Sequence, residues 1–348
     1  MSRLDDVLAL VSIDSVSRNE SRLATFIAES LKSNPVLDVE RIGDNVVART
    51  TGHHATRLLV AGHLDTVPGD AGVARIEGEE LRGLGACDMK GSLAVMLELA
   101  LDAAPRSVEV TWVFYAREEI ARSESGLLEV AELRPDLLDA DVAVLAEPTG
   151  GRVEAGCQGT LRVSLEVAGV RAHTARPYVG RNAIHRLGEV INRVASYEPR
   201  TARIDGIDFV EQLQVVAVDG GVAPNVVPDR ATCTLNHRFA PDRTMKEAFE
   251  WLVSFLGELE EGDLVSLVDG APAAAPALGN VRLQSLVDLS GVSPKGKVGW
   301  TDVATFAELG TPATNFGAGD PLLAHRSDEF VTLGQLDEFA RVLGDWLR

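Results

Sequence analysis

Cysteine is scarce in this chain of 348 residues: Cys87, Cys157 and Cys233 stand singly and far apart. Three isolated thiols make neither a disulfide framework nor a cysteine-ligated zinc knuckle, and they fit a reducing compartment. Basic residues are also in the minority. With 33 Lys and Arg against 52 Asp and Glu, the formal net charge is −19, which excludes a nucleic-acid partner because no basic patch offsets such a field. An anionic substrate stays open, provided that local arginines reverse the potential in a cleft. No apolar run reaches the ~18 residues of a membrane span. The start, Met-Ser-Arg-Leu-Asp-Asp-Val-Leu, lacks the basic stretch and long apolar segment of a signal peptide and reads as an amphipathic helix. These absences point to a cytoplasmic protein without a membrane partner. Repeats are missing, and the one biased stretch is Ala-Pro-Ala-Ala-Ala-Pro-Ala at 271–277.

What is present is an ordinary globular composition, 45% hydrophobic and 24% charged, in a chain whose length favours two domains over one. Helical periodicity at 3–12 and 21–31 is followed by strands at 45–49 and 58–64, a helix at 92–104, a strand at 108–115, a helix near 124–132 and a strand at 142–146. Apolar runs such as Leu-Leu-Val-Ala do not alternate, so they predict strands covered on both faces of an α/β layered fold. From Gly159 the texture changes to alternating strands at 160–168, 212–218, 231–239 and 264–268, with helices at 182–195 and 245–256. That order, β-α-β-β-α-β, is the split βαβ pattern of a four-stranded sheet with two helices on one face. Helices at 281–289, 302–309 and 333–347 would return to the first domain. The expected division is 1–158 with 270–348, and 159–269 inserted between them.

Four carboxylate positions and two histidines fall where strands or loops would deliver them to one point. His63 and Asp65 close the run 58–64, Asp88 sits in Gly-Leu-Gly-Ala-Cys-Asp-Met-Lys-Gly, Glu118-Glu119 follow 108–115, Glu147 follows 142–146, and His325 follows the glycine-rich 315–319. In open α/β sheets, sites form outside the carboxyl ends of strands. A single acidic residue after a strand is usually a solvated loop charge; this many together is not. Nitrogen and oxygen donors without thiolates suit a catalytic zinc-type site, which stays electrophilic and open to water. Asp65 is placed to accept from the far imidazole nitrogen of His63 and fix its tautomer. Of the adjacent carboxylates Glu118 and Glu119, one can coordinate while the other acts as general base. Gly83, Gly85 and Gly91 around Asp88 match no nucleotide fingerprint and read as a tight turn. Cys87 reads as a small buried neighbour, and His53 and His54 as solvated.

Ala-Gly-His-Leu-Asp-Thr-Val-Pro, Gly-Leu-Gly-Ala-Cys-Asp-Met-Lys-Gly, Glu-Glu and Ala-Glu-Pro-Thr, in that order, resemble metallopeptidase family M20, which holds deacylases and peptidases of small substrates. The resemblance covers nearly the whole chain. It implies a mixed-sheet di-metal hydrolase domain sandwiched by helices, with an inserted ferredoxin-like α+β domain that serves as lid and dimerisation module. It also implies two divalent ions, zinc or alternatively cobalt: Asp88 bridging, His63 and Glu147 on one, Glu119 and His325 on the other, and Glu118 as base. The peptide bond after Asp88 is expected to be cis.

In the inserted domain, Val-Ala-Gly-Val-Arg-Ala-His-Thr-Ala-Arg-Pro carries His173, which the resemblance implies crosses a homodimer to the reaction oxyanion, and Arg176. Asn225 of Gly-Gly-Val-Ala-Pro-Asn, Arg238 of Asn-His-Arg-Phe, and Gly299 and Thr301 of Gly-Trp-Thr-Asp-Val-Ala are implied to bind substrate. His237 should face the other side of its strand from Arg238, and His185 reads as a packing or dimer residue. The motifs Gly-Cys-Gln-Gly-Thr-Leu, Ala-His-Thr-Ala-Arg-Pro and Gly-Arg-Asn-Ala-Ile-His look most like an actinobacterial branch that removes succinate from N-succinyl-L,L-2,6-diaminopimelate, a small N-acyl amino acid. Gln158 departs from that pattern, since some members carry a basic residue there, which leaves succinate to Arg238, Arg176 and Arg162. An acetylornithine-type deacylase, a small-peptide peptidase, and a metal-dependent binding protein without catalysis are the alternatives.

Overall fold

Three unbroken apolar segments form the centre of an eight-stranded mixed sheet. Its order is Leu37–Ile42, Asn45–Thr50, Glu109–Tyr115, Arg57–His63, Val142–Leu145, Ala313–Asn315, Glu154–Ala155, Lys295–Gly296. Arg57–His63 runs parallel to both of its neighbours, with Leu59 level with Thr111 and Ala143, and His63 level with Tyr115. The computed structural model describes residues 2–69, 72–102, 104 and 106–348. They divide into two compact units, Met1–Gly156 with Pro276–Gly296 and Asp302–Arg348, and Cys157–Ala275 with Lys297–Thr301.

Both faces of the central strands are covered, which is why their sequences do not alternate. Leu58, Val60, Trp112, Phe114 and Val144 pack against the helices Arg3–Val11, Ser21–Lys32, Gly91–Leu101 and Leu333–Trp346 in one buried cluster. Leu59, Ala61, Val113 and Ala143, on the opposite face, are equally buried. Each buried leucine or valine side chain among them contributes about 1.5–3 kcal/mol when removed from water. Reciprocal caps begin two of these helices: Ser2 with Asp5, and Thr332 with Gln335. The helix expected to reach residue 104 stops at Leu101, where Asp102 turns to an extended conformation (φ −68°, ψ 122°); Ala103 lies outside the described residues. The helix expected near 124 starts at Gly126, with Ser125 as its cap.

The second unit holds a four-stranded antiparallel sheet of order Gln212–Gly220, Arg230–Phe239, Gly159–Ala168, Leu264–Ala271. Alternate residues Leu161, Val163, Leu165 and Val167 bury against the helices Ala183–Ala195 and Met245–Leu256, as the split βαβ pattern predicts. Lys297–Thr301 falls within this unit and not with the flanking return segment: Trp300 Nε1 donates to the Pro272 carbonyl at 3.1 Å, and Cys157 Sγ lies 3.6 Å from the Thr301 carbonyl. Cys157 and Ala274, near the two ends of the insertion, exchange backbone hydrogen bonds of 3.0 and 3.1 Å. Short strands missing from the sequence reading include the hairpin Thr201–Ile204 with Ile207–Val210, and Phe330–Thr332 beside the hairpin Arg75–Glu77 with Glu80–Arg82.

His237 faces the helix-covered side of its strand, as expected. It is fully buried against Trp251, with ring centroids 4.8 Å apart, and neither ring nitrogen has a hydrogen-bond partner among the described residues. Burial holds its pKa down at about 4, while Glu211 pulls the other way. The unfolded chain takes up this proton near pH 6.5 and the folded chain only near 4. Stability should therefore be complete above about pH 6.5 and fall as pH drops toward 4, by about 3 kcal/mol in all. Denaturant midpoints measured from pH 7 to 4 should show this loss in the wild type, and His237→Phe, which removes the titrating group, should show a correspondingly flatter profile.

Candidate metal centre

The parallel register brings His63, the turn after Tyr115 and the residues after Leu145 to one edge of the sheet. The strand ends at His63, and the chain then turns so that His63 Nδ1 lies 2.9 Å from the Asp65 carbonyl oxygen. The expected contact with the Asp65 carboxylate is longer, at 3.6 Å. That carboxylate is engaged elsewhere: Oδ1 accepts from the Glu118 N–H at 3.0 Å, and Oδ2 from the Glu119 N–H at 3.0 Å and the Ser17 hydroxyl at 2.8 Å. Asp65 is wholly buried, so these donors fix the turn that carries the two glutamates. Burial would raise its pKa, but His63 and the Glu118 N–H outweigh that, and the carboxyl titrates below its ordinary range.

Asp88 lies in a loop entered through Gly85, whose φ of 76° and close approach to the Thr66 methyl (2.6 Å from an added Cβ) leave no room for a side chain. The Asp88–Met89 bond is cis. The loop is tied to Glu329, a buried residue that the sequence reading did not single out. Glu329 Oε2 accepts from the Gly85 N–H at 3.0 Å, and Oε1 from the N–H groups of Cys87 (2.7 Å) and Asp88 (2.9 Å). In the sequence it is one charge among several in Arg-Ser-Asp-Glu-Phe, and nothing local distinguishes it from a surface residue. Asp302 is a second buried carboxylate without a sequence signal, accepting from the Thr305 hydroxyl at 2.6 Å.

Three groups of side chains have donor atoms within 4.8 Å of one another: His63, Glu118 and Glu119; His63, Asp88 and Glu147; and Asp88, Glu119 and His325. The last two share Asp88. His63 Nε2 is 3.0 Å from Asp88 Oδ1, while His325 Nε2 is 2.9 Å from Glu119 Oε1 and 3.5 Å from Asp88 Oδ2. His325 adopts φ 65°, an uncommon conformation for a residue with a Cβ. With Nδ1 of His63 donating to a carbonyl, a neutral ring would aim the Nε2 lone pair at a carboxylate oxygen. Only a proton or another cation between them makes that approach favourable.

The electrostatics carry the same message. Burial, and next the charge of Glu147, hold the Glu118 carboxyl well above its ordinary range. Asp88 and Glu119 lift His325 to about 10. For His63, burial acts downward but Asp65 and Asp88 raise it well above 6.5. Protonated imidazoles and a neutral carboxyl are how Asp88, Glu118, Glu119 and Glu147 balance their charge with protons alone. Two divalent cations would balance it instead, and a set of oxygen and imidazole donors suits zinc, cobalt or manganese. The residues present therefore fit a pair of divalent metals.

The other residues implied by resemblance all lie in the second unit. Ala172–His173 pairs with Val226–Val227, and the Thr174 N–H donates to the Asn225 carbonyl at 3.1 Å, so His173 and Asn225 are neighbours despite their separation in sequence. The Ala175 N–H donates to His173 Nδ1 at 3.0 Å. That makes Nδ1 the acceptor and leaves Nε2 bearing the proton. Arg176 is exposed. Arg238 is part-buried and shares the uncovered face of its sheet with Arg162. Thr301 is buried, and Gly299 part-exposed. Gln158 is buried and donates from Nε2 to the Val210 carbonyl at 2.8 Å.

Comparison with known proteins bears on the family and the fold. A profile of peptidase family M20/M25/M40 matches residues 59–348. A Mycobacterium tuberculosis protein named "Putative succinyl-diaminopimelate desuccinylase DapE" is 45% identical over 341 residues, 97% of this chain and 96% of that protein. A succinyl-diaminopimelate desuccinylase of Corynebacterium glutamicum is 42% identical over 347 residues, covering 97% and 94%. Acetylornithine deacetylase of Myxococcus xanthus is 28% identical, covering 92% and 87%. Among solved structures, a tripeptidase of Staphylococcus aureus superposes with a TM-score of 0.81 at 23% identity, covering 99% of this chain and 96% of that one. A dinuclear metal-binding peptidase of Bacillus subtilis gives 0.75 at 15%, covering 99% and 96%. At these identities the two structures speak to the fold. A profile match over most of the chain, with relatives above 40% identity along nearly all of it, settles descent: the chain belongs to peptidase family M20/M25/M40.

Proposed function

We propose that this chain is a zinc-dependent amide hydrolase that removes succinate from N-succinyl-L,L-2,6-diaminopimelate, a cytoplasmic step that yields L,L-diaminopimelate. The observation that carries the chemistry is the pair of three-residue groups sharing Asp88, with the part-buried Glu118 beside them in a third group that also holds His63 and Glu119. The substrate rests on the two relatives above 40% identity, both bearing that enzyme's name.

In this reading His63 and Glu147 would hold one divalent ion, Glu119 and His325 the other, and Asp88 would serve both. Metals bound there would polarise the acyl carbonyl and make the attacking water acidic enough to act near neutral pH. Glu118 takes the proton from that water as its oxygen joins the acyl carbon. Asp65 supports this step by fixing the backbone of Glu118 and Glu119. The Nε2–H of His173 of the partner subunit, in a homodimer formed through the second unit, donates to the oxyanion; the Nδ1 contact with Ala175 favours that tautomer. When the C–N bond breaks, Glu118 returns its proton to the amine nitrogen. Arg238, with Arg176, Arg162, Asn225, Gly299 and Thr301, receives the polar groups of the substrate. Arg238 and Arg162 suit a carboxylate, because adjacent cations gain from an anion between them.

Gln158 favours a second reading, an acetylornithine-type deacylase: it supplies no charge for a succinyl carboxylate, and its Nε2 donates to the Val210 carbonyl. Amine release from N-succinyl-L,L-diaminopimelate, N-acetylornithine and a panel of dipeptides, each with added zinc, separates the two. Turnover should be highest for the first, and preference for the acetyl substrate would transfer the assignment.

Glu118→Gln should retain its metals by elemental analysis yet lose at least about 1000-fold in kcat, since it serves both proton transfers. Exhaustive chelation should abolish turnover, and zinc or cobalt should restore it; activity that survives a verified metal-free preparation would remove the metals from the mechanism.

A further inference from the structure

The Glu329 side chain meets the residues proposed to act on metals or water at the backbone N–H of Asp88. Its carboxylate sits buried in a nest of three main-chain N–H groups, those of Gly85, Cys87 and Asp88, at 3.0, 2.7 and 2.9 Å. Such a concavity of successive amides is a strong acceptor site for an anion. Here the chain supplies the carboxyl group from a distant segment, and burial pushes its pKa up to about 7 while the three N–H groups act downward. That segment is the one that carries His325, four residues earlier, and the Glu329 backbone takes part as well: the Gly83 N–H donates to its carbonyl at 3.1 Å, and its own N–H donates to the Arg326 carbonyl at 3.3 Å. Glu329 thus joins the loop of Asp88 to the loop of His325, two residues that share one group of donor atoms.

We infer that Glu329 is a positioning residue for the metal pair, setting the separation of Asp88 and His325 by clamping the two loops that bear them. The inference rests on the metal-centre reading above. Its rival is that Glu329 merely satisfies buried amides. Glu109 offers the matched comparison: also buried, it accepts from the N–H groups of Gly52 (3.0 Å) and His54 (3.1 Å) and from the Thr50 hydroxyl, at a place remote from the donor groups. In Glu329→Gln one carboxylate oxygen becomes an NH2 that confronts an N–H of the nest, so the clamp is spoiled with little change in volume.

The test titrates metal-free full-length wild type, Glu329→Gln and Glu109→Gln with Co2+, following heat and the visible absorption of the bound ion. Wild type should take up two ions. Glu329→Gln should bind at least one of them about 10–100-fold more weakly, with a changed cobalt spectrum, as other outer partners of metal ligands do. Glu109→Gln should lose stability but keep the wild-type affinity and spectrum. Should Glu329→Gln fail to fold, Glu329→Asp, which retains the charge on a shorter arm, serves in its place with an intermediate loss expected. Wild-type affinity and spectrum in the folded Glu329 variant would overturn the inference and leave the metal centre standing, as would an equal loss in Glu109→Gln. A wild-type chain that takes up no metal would bring down the metal-centre reading itself, and the inference with it.

Discussion

Carboxylates gathered at one edge of a sheet repel one another, and the rest of this structure is arranged around restraining that repulsion. Asp88, Glu118, Glu119 and Glu147 approach closely because parallel strands hold the surrounding main chain and because two of the loops are each pinned by a further carboxylate that accepts from their N–H groups. Asp65 does this for the Glu118–Glu119 turn and Glu329 for the Asp88 loop. Hydrogen bonds hold the Asp65 carboxyl below its ordinary range against burial, whereas burial pushes Glu329 up to about 7 despite its three N–H donors.

Much of the first unit was legible because its strands are long, apolar and covered on both faces. Leu58–Leu64 and Val142–Ala146 could only be buried strands, and a parallel sheet then dictates that the residues following them share an edge. The donor residues of the candidate centre were accessible by the same route, since His63, Glu118, Glu119 and Glu147 each follow such a run. Asp88 and His325 were singled out by their glycine-rich surroundings and given roles by family likeness, not by periodicity: they sit on loops whose course depends on Gly85 and on a residue with φ 65°.

What escaped the sequence reading has a common physical origin. Glu329 is four residues from His325 and 241 from Asp88, and a contact of that span leaves no periodic trace in one chain. The contact expected between His63 and the Asp65 side chain went instead to the Asp65 carbonyl, because the strand ends one residue earlier than alternation would carry it and the carboxylate is claimed by two amides. Lys297–Thr301 crossed to the second unit through Trp300 and Cys157, single contacts with no pattern behind them. Short strands such as Thr201–Ile204 hold two to four alternating residues, too few to stand out from a polar loop.

The pairing of Ala172–His173 with Val226–Val227 is made by main-chain atoms, and hydrogen bonds of that kind place almost no demand on which side chains are attached. Thr174 and Val226 flank His173 and Asn225 and are free to differ in size and polarity while the spacing of that imidazole and amide is kept. If that imidazole and amide meet the substrate as proposed, substitution at such flanking positions reshapes their surroundings without rebuilding the polar pair itself.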